Sequence, residues 1–176
     1  MLDWDLQDDL KQELRTIENA SRVKTHANTV NTEILQNVYG RARTRGFSFE
    51  YDEPEHVVGG ENRAPRPLEY FLAGWAFCQQ VMYSRSALGT GTELENLEMT
   101  VTGDIDPRSA LPESEVPAGF VDDEVRMVTR IESDADPDDV RTVVRRARKL
   151  CHAHASLQRE MTLESKVELN GEPLDL

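Results

Sequence analysis

Residues 52–78, DEPEHVVGGENRAPRPLEYFLAGWAFC, decide how this chain is read. The Gly59-Gly60 pair, Pro65 and Pro67 exclude regular structure from the first half of the stretch. Pro67 then stands where a helix begins, because its missing N–H and fixed φ are harmless in a first turn. Beyond it, Leu68, Tyr70, Phe71, Leu72, Ala73, Trp75, Ala76 and Phe77 leave no polar stripe before Gln79. The spacing predicts a helix over about 67–86 whose first half is buried on all sides. Cys78 sits on this helix, and Gln79, Gln80 and Ser84 turn it polar immediately afterwards, as expected where a buried helix surfaces at a pocket.

Working outward, residues 3–21 place Leu6, Leu10, Leu14 and Ile17 at helical spacing with acids in the first turns, an amphipathic helix. From about residue 25, β-branched and aromatic residues alternate with polar ones and Arg45-Gly46 supplies a turn, which predicts two or three antiparallel strands. Downstream of the central helix, Leu97, Met99 and Val101 alternate in one strand, and an acidic loop with prolines follows around 106–118. A second strand is expected at about 119–133, with Val125, Met127 and Val128 as its apolar part. Ser133, Asp134, Asp136 and Pro137 then start a helix that ends at Cys151, and Leu163, Val167 and Leu169 mark a closing strand. The order is helix, β-meander, buried helix, two strands, helix, strand, which is an α+β domain. With 176 residues the chain holds one such domain, expected over 25–176 behind a helical extension over 1–24.

Thirty-three Asp and Glu against 20 Lys and Arg give a net charge of -13, which repels a phosphate backbone or an anionic membrane. No run of about 18 apolar residues occurs, and the start MLDWDLQDDL is acidic where a signal peptide is basic and then apolar. The expectation is a soluble cytoplasmic protein, without nucleic acid or membrane as a partner. The acid is spread along the whole chain, the cations are 16 Arg and 4 Lys, and the apolar fraction is 38%. Such a surface suits high salt, where charges are screened over roughly 3 Å at 1 M, and a halophilic protein is expected.

Two cysteines, Cys78 and Cys151, are too few for a disulfide scaffold. Cys78 reads either as a small hydrophobe in a core or as a reactive thiol. Cys151 follows Arg145, Arg146, Arg148 and Lys149; nearby cations lower a thiol pKa, whereas the C-terminal end of a helix opposes that shift. The basic run itself reads as a solvated helix face. Cys151, His152 and His154 fall one ligand short of a structural zinc site, with His26 and His56 in a strand and a loop elsewhere. A Cys–His pair for acyl transfer needs a group that orients the base, and the sequence places none beside it. The segment VVGGEN lacks the spacing of a phosphate loop and reads as a turn.

The stretch at 52–78 resembles the segment of OsmC/Ohr-type proteins in which a Gly-Gly-x-Asn loop and a Pro-led motif introduce a long central helix bearing the reactive cysteine. Residues 133–157, SDADPDDVRTVVRRARKLCHAHASL, resemble that family's second signature, a helix ending in the second cysteine and followed by Ser-Leu. The resemblance spans about 25–170, and the N-terminal helix is an addition to it.

The resemblance implies an OsmC-like fold, an intertwined homodimer in which antiparallel sheets wrap two central buried helices, with an active site at each subunit boundary. It implies reduction of organic hydroperoxides without metal or organic cofactor. Cys78 would be the peroxidatic thiolate and Cys151 the resolving thiol, with a dithiol reductant to reopen the disulfide. Phe71, Trp75 and Phe77 would line the pocket for a hydrophobic peroxide tail. In the family a carboxylate directly follows the motif proline and works with an Arg of the N-terminal strands. Here Leu68 takes that place and Glu69 comes next; Arg41, Arg43 and Arg45 stand on alternate strand positions. Glu69, Arg41 and Arg43 are the candidate activating residues. His152 replaces the proline that usually follows the second cysteine. Leu68 also motivates an alternative, a non-catalytic OsmC-like homodimer that binds a hydrophobic small molecule.

Overall fold

The computed structural model describes residues 2–21 and 25–175. The boundary expected at residue 24 falls in the stretch 22–24, outside the described residues. The elements are α1 (Leu6–Glu18), β1 (Asn31–Gln36), β2 (Tyr39–Thr44), β3 (Phe47–Tyr51), α2 (Pro67–Thr90), β4 (Asn96–Thr102), β5 (Arg126–Glu132), α3 (Pro137–Leu150), α4 (His152–Leu157), β6 (Val167–Leu169) and β7 (Glu172–Leu174). The architecture is α+β with antiparallel sheets.

β1, β2 and β3 form a meander whose two turns carry left-handed residues, Asn37 (φ 52°) and Arg45 (φ 53°). β4 and β5 pair over seven residues, from Asn96 opposite Glu132 to Thr102 opposite Arg126. The closing strand differs from expectation. Leu163 lies outside any strand, and β6 pairs only with β7. Asn170 and Gly171, at φ 54° and 88°, make a turn of the two-residue kind that folds a chain back on itself, so this end forms its own hairpin.

α2 and α3 make the core. Tyr83 and Ala87 of α2 meet Val143 and Ala147 of α3 and Leu94, with Leu97, Met99 and Ile131 of the β4–β5 sheet packed against them. Asp136 caps α3 by accepting the Asp138 N–H at 2.8 Å, and Pro137 follows it, as the sequence pattern requires. α1 lies along α2: Leu10 is buried, Gln7 Nε2 donates to the Leu88 carbonyl at 2.9 Å, and Arg85 holds both Glu13 oxygens at 3.0 and 3.2 Å. No helix among the described residues is long and apolar enough to cross a membrane.

α2 runs four residues past its expected end because Gly91, at φ 75°, supplies the left-handed cap that stops it. Its first half is not covered on all sides within the chain: Leu68, Phe71 and Phe77 are exposed, Phe77 at 63%. The chain's own elements bury only the face through Ala76, Gln79, Tyr83, Ser86 and Ala87. The same holds for the meander, where Ile34 is 73% and Phe47 64% exposed. Tyr70 joins the meander to α2, donating its hydroxyl to the Glu50 carbonyl at 2.6 Å with its ring 5.2 Å from Phe49.

Candidate active site at the cysteine pair

The loop that delivers α2 is organised by one carboxylate. Asp52 is fully buried and accepts backbone N–H groups from Glu53 (2.9 Å), Arg63 (3.1 Å) and Glu61 (3.2 Å). Burial pushes its pKa up, but these N–H bonds and the Arg63 charge outweigh that and hold it below the usual carboxylate range. Gly60 passes directly against the Glu53 and Pro54 carbonyls, where any Cβ would collide. The Gly-Gly turn is therefore a wrap around Asp52 and has no free phosphate cradle. At the start of α2, Arg66 and Glu69 form a capping box: the Arg66 N–H donates to Glu69 Oε2 at 2.9 Å, and Arg66 Nε reaches Glu53 at 2.9 Å.

Further along α2, Phe71, Trp75 and Cys78 recur at helical spacing and share one side. Cys78 is partly exposed, at the edge between the covered face and the uncovered apolar one. Cys151 approaches from the other direction. It is the residue that ends α3 and caps α4, it is 0% exposed, and its Sγ accepts the His154 backbone N–H at 3.4 Å. Both thiols are free, and they do not stand at disulfide distance from one another. Burial pushes the Cys151 thiol up, the His154 N–H opposes it, and the Cys78 sulfur adds to the rise. Arg145, Arg146, Arg148 and Lys149 all face solvent, so their charges do not overturn the effect of burial.

A cavity of about 430 Å³ is lined by Phe71, Trp75, Phe120, Asp123, Val125, His154, Leu157 and Gln158, with neither cysteine in its wall. This volume suits a small organic molecule. The Phe71 and Phe120 rings are 6.1 Å apart, and the His154 imidazole stacks on Trp75 at 5.9 Å and 25°. Trp75 Nε1 and His154 Nδ1 are buried without a hydrogen-bond partner. Phe120 comes from the loop between β4 and β5 and its ring covers Gly103, where a Cβ would meet it at 2.5 Å.

Phe71 and Trp75 thus meet at the cavity as expected, but Phe77 does not. It lines a second cavity of about 300 Å³ with Glu69, Leu72, Met99 and Val101, because two residues past Trp75 is roughly 200° around a helix. Gln79 turns inward, 1% exposed with neither amide atom partnered, whereas Gln80 and Ser84 line a separate cavity of about 230 Å³ with Leu2, Leu94 and Leu97. Arg41 and Arg43 lie on the meander, Arg41 3.4 Å from Glu50 and 3.8 Å from Glu33, Arg43 2.8 Å from Glu33. Neither is brought to Cys78 within the chain. Nine residues separate Glu69 from Cys78, about 13.5 Å along the axis and half a turn around it, so these two do not meet within one chain either. Among the described residues no three His, Cys, Asp or Glu side chains are grouped to hold a metal ion, and His152 points outward. Sequence reasoning did not anticipate Phe120, Val125, Leu157 or the placement of His154. The i, i+3 spacing of Cys151 and His154 was the available signal for the last.

The family described as OsmC-like protein matches residues 60–166. No curated protein sequence matches significantly. Among solved structures, an OsmC-like protein from Mycoplasma pneumoniae superposes with a TM-score of 0.63 at 22% identity, covering 77% of this chain and 89% of that one. An organic hydroperoxide resistance protein, OsmC, from Legionella pneumophila gives 0.54 at 19% identity, over 77% and 92% of the two chains. An OsmC-like hydroperoxide resistance protein from a Jannaschia species gives 0.53 at 16% identity, over 86% and 100%.

Proposed function

Since the chain belongs to the OsmC-like protein family, with the fold of its structural neighbours, we propose that it is a homodimeric thiol peroxidase that reduces organic hydroperoxides through Cys78 and Cys151. The observation that supports this reading is an aromatic-walled cavity lined by Trp75, one turn before Cys78, and by His154, one turn after Cys151; closing the disulfide requires the two thiols to move together. The Cys78 thiolate attacks one peroxide oxygen; an S–O bond forms, the O–O bond breaks, and the alkoxide leaves as the alcohol once protonated. The Cys151 sulfur then attacks Cys78, an S–S bond replaces the S–O bond, and water departs. An external dithiol reopens the disulfide by exchange. Phe71, Trp75 and Phe120 receive the organic group of the peroxide.

Dimerisation is supported by the apolar side chains one chain leaves exposed, Leu68, Phe71, Phe77 and Val81 on α2 and Ile34 and Phe47 on the meander. The partner's α2 is also the source from which a Glu69 carboxylate can come to Cys78, and the partner's meander can bring Arg41 or Arg43. The acidic, Arg-rich surface supports work in a salt-rich cytoplasm. The test is a free-thiol count on the reduced protein before and after one equivalent of cumene hydroperoxide. Loss of both thiols is expected in the wild type, and of no disulfide-forming pair in Cys151→Ser. Two intact thiols after treatment would instead leave the hydrophobic-ligand reading.

A further inference from the structure

We propose that the cavity walled by Phe71, Trp75 and Phe120 selects its organic guest by charge: it holds a substituted ammonium group among the aromatic rings beside the Asp123 carboxylate and turns organic anions away. The inference rests on the reading above for this cavity as the seat of the organic group, and it adds the chemical class of that group.

The wall has the make-up of an aromatic cage. Phe71 and Trp75 stand one turn apart on α2, and Phe120 crosses from the loop between β4 and β5, its ring 6.1 Å from that of Phe71 and inclined to it by 31°. The His154 imidazole, stacked on Trp75, adds a fourth ring from α4. Rings gathered around one space attract a cation through their electron-rich faces, Trp most strongly.

Charge in the wall has one sign. Among the described residues that line the cavity, Asp123 is the one acid and there is no Lys or Arg. Among the described residues Asp123 also has no ion-pair partner: Arg126, three positions on, is held by Asp104 at 2.8 Å and Glu124 at 3.7 Å. Arg159 follows the wall residue Gln158 but lies outside the wall. Asp122 and Glu124 flank Asp123 in a chain of net charge -13, and a cleft of one sign with apolar walls concentrates its field on an incoming ion. A guest bearing a carboxylate would meet Asp123 with no cation in the wall to pair it. A hydrocarbon guest would gain from the rings alone, whereas an ammonium gains from the rings and from the carboxylate.

The experiment compares three probes of nearly equal bulk: choline, its uncharged isostere 3,3-dimethylbutan-1-ol, and the anion 3,3-dimethylbutanoate. Each is titrated calorimetrically into the reduced full chain at pH 8, above the range in which imidazole ordinarily takes up its proton, and at about 0.15 M salt, which screens charges beyond about 8 Å. Choline is expected to bind about tenfold tighter than the alcohol, and the anion more weakly than either. Asp123→Asn keeps the side-chain shape and a residue type that tolerates the left-handed backbone at φ 54°, and it should bring choline to within about threefold of the alcohol. Asp122→Asn removes the same charge one residue away, from a side chain that lines only the neighbouring cavity, and should leave the preference in place. Phe120→Leu keeps an apolar wall without a ring and should weaken choline more than the alcohol. Equal affinities for choline and the alcohol, an anion bound as tightly as choline, or equal losses in the two Asp variants would overturn the assignment, and the wild-type comparison decides it should a variant fail to fold. Peroxide-driven loss of both thiols without a preference for the cation overturns this inference alone. The preference without any loss of thiols overturns the peroxidase reading and leaves the cavity as a cation site.

Discussion

Glu69 and Cys78 stand on opposite sides of α2, about 13.5 Å apart along its axis, and the Glu69 carboxylate closes a capping box with Arg66. If this carboxylate serves a thiol, that thiol belongs to a second chain. Mixing Glu69→Gln chains with Cys78→Ser chains, each inactive by itself, is then expected to restore peroxidase activity. A random mixture gives half mixed dimers, each with one complete site of two, so about a quarter of wild-type activity returns. Steady-state peroxide consumption after subunit exchange measures it, and no recovery would place the Glu69 role within one chain or nowhere.

The contrast in exposure between the two thiols predicts their reactivity. Cys151 is 0% exposed and burial raises its pKa, whereas Cys78 opens partly to solvent. Iodoacetamide at pH 7 is expected to alkylate Cys78 at least tenfold faster, as read by peptide mass. The sign for stability follows. A folded pKa above the unfolded value of about 8.5 stabilises below that pH, and the contribution is lost as pH rises through the folded value. The wild type should therefore lose melting temperature above about pH 9 more steeply than Cys151→Ser.

Phe120 reaches the cavity wall only because Gly103 leaves room beneath its ring. Gly103→Ala is expected to push the ring toward Phe71 and narrow the space for an organic group. KM for cumene hydroperoxide should rise about tenfold, with little change for hydrogen peroxide, since a methylene-sized loss of apolar contact is worth about a factor of ten or more. An equal rise for both substrates would argue against Phe120 as a wall for the organic group.

Asp52 anchors the loop before α2 through three N–H bonds. Its folded pKa lies below the unfolded value of about 3.9, so its contribution is complete above roughly pH 5 and disappears as pH falls through the folded value. Asp106, held at about 2 by the Arg108 guanidinium, acts in the same direction. Asp52→Ala should lower the melting temperature at pH 7 by about 5 °C and flatten its decline between pH 5 and pH 2. Thermal melts across that range provide the check.

Much of this architecture was legible in the sequence because its signals are local. Pro67 and Pro137 mark helix starts, Arg45-Gly46 marks a turn, and Leu97, Met99 and Val101 mark a strand facing the core. The cysteines could be placed on their helices by the same reasoning, whereas Phe71 and Trp75 were expected at a cavity only from the family resemblance. Burial was misread where it depends on what lies opposite. Phe77 and Gln79 exchanged their expected environments because neighbours on a helix differ by roughly 100°, and composition alone does not say which face the chain covers.

The sequence by itself determined an α+β chain with two thiols in two recognisable settings, since periodicity, capping residues and turn residues act within a few residues of where they stand. Tertiary structure alone decided that Cys151 is buried while Cys78 stays partly exposed, that Phe120 completes the wall of the cavity, and that the His154 ring is fixed on Trp75. Those relations join residues 45 to 79 positions apart, and they exist only once α2 and α3 have packed, because side-chain distance and dielectric are properties of the packed chain and not of its order.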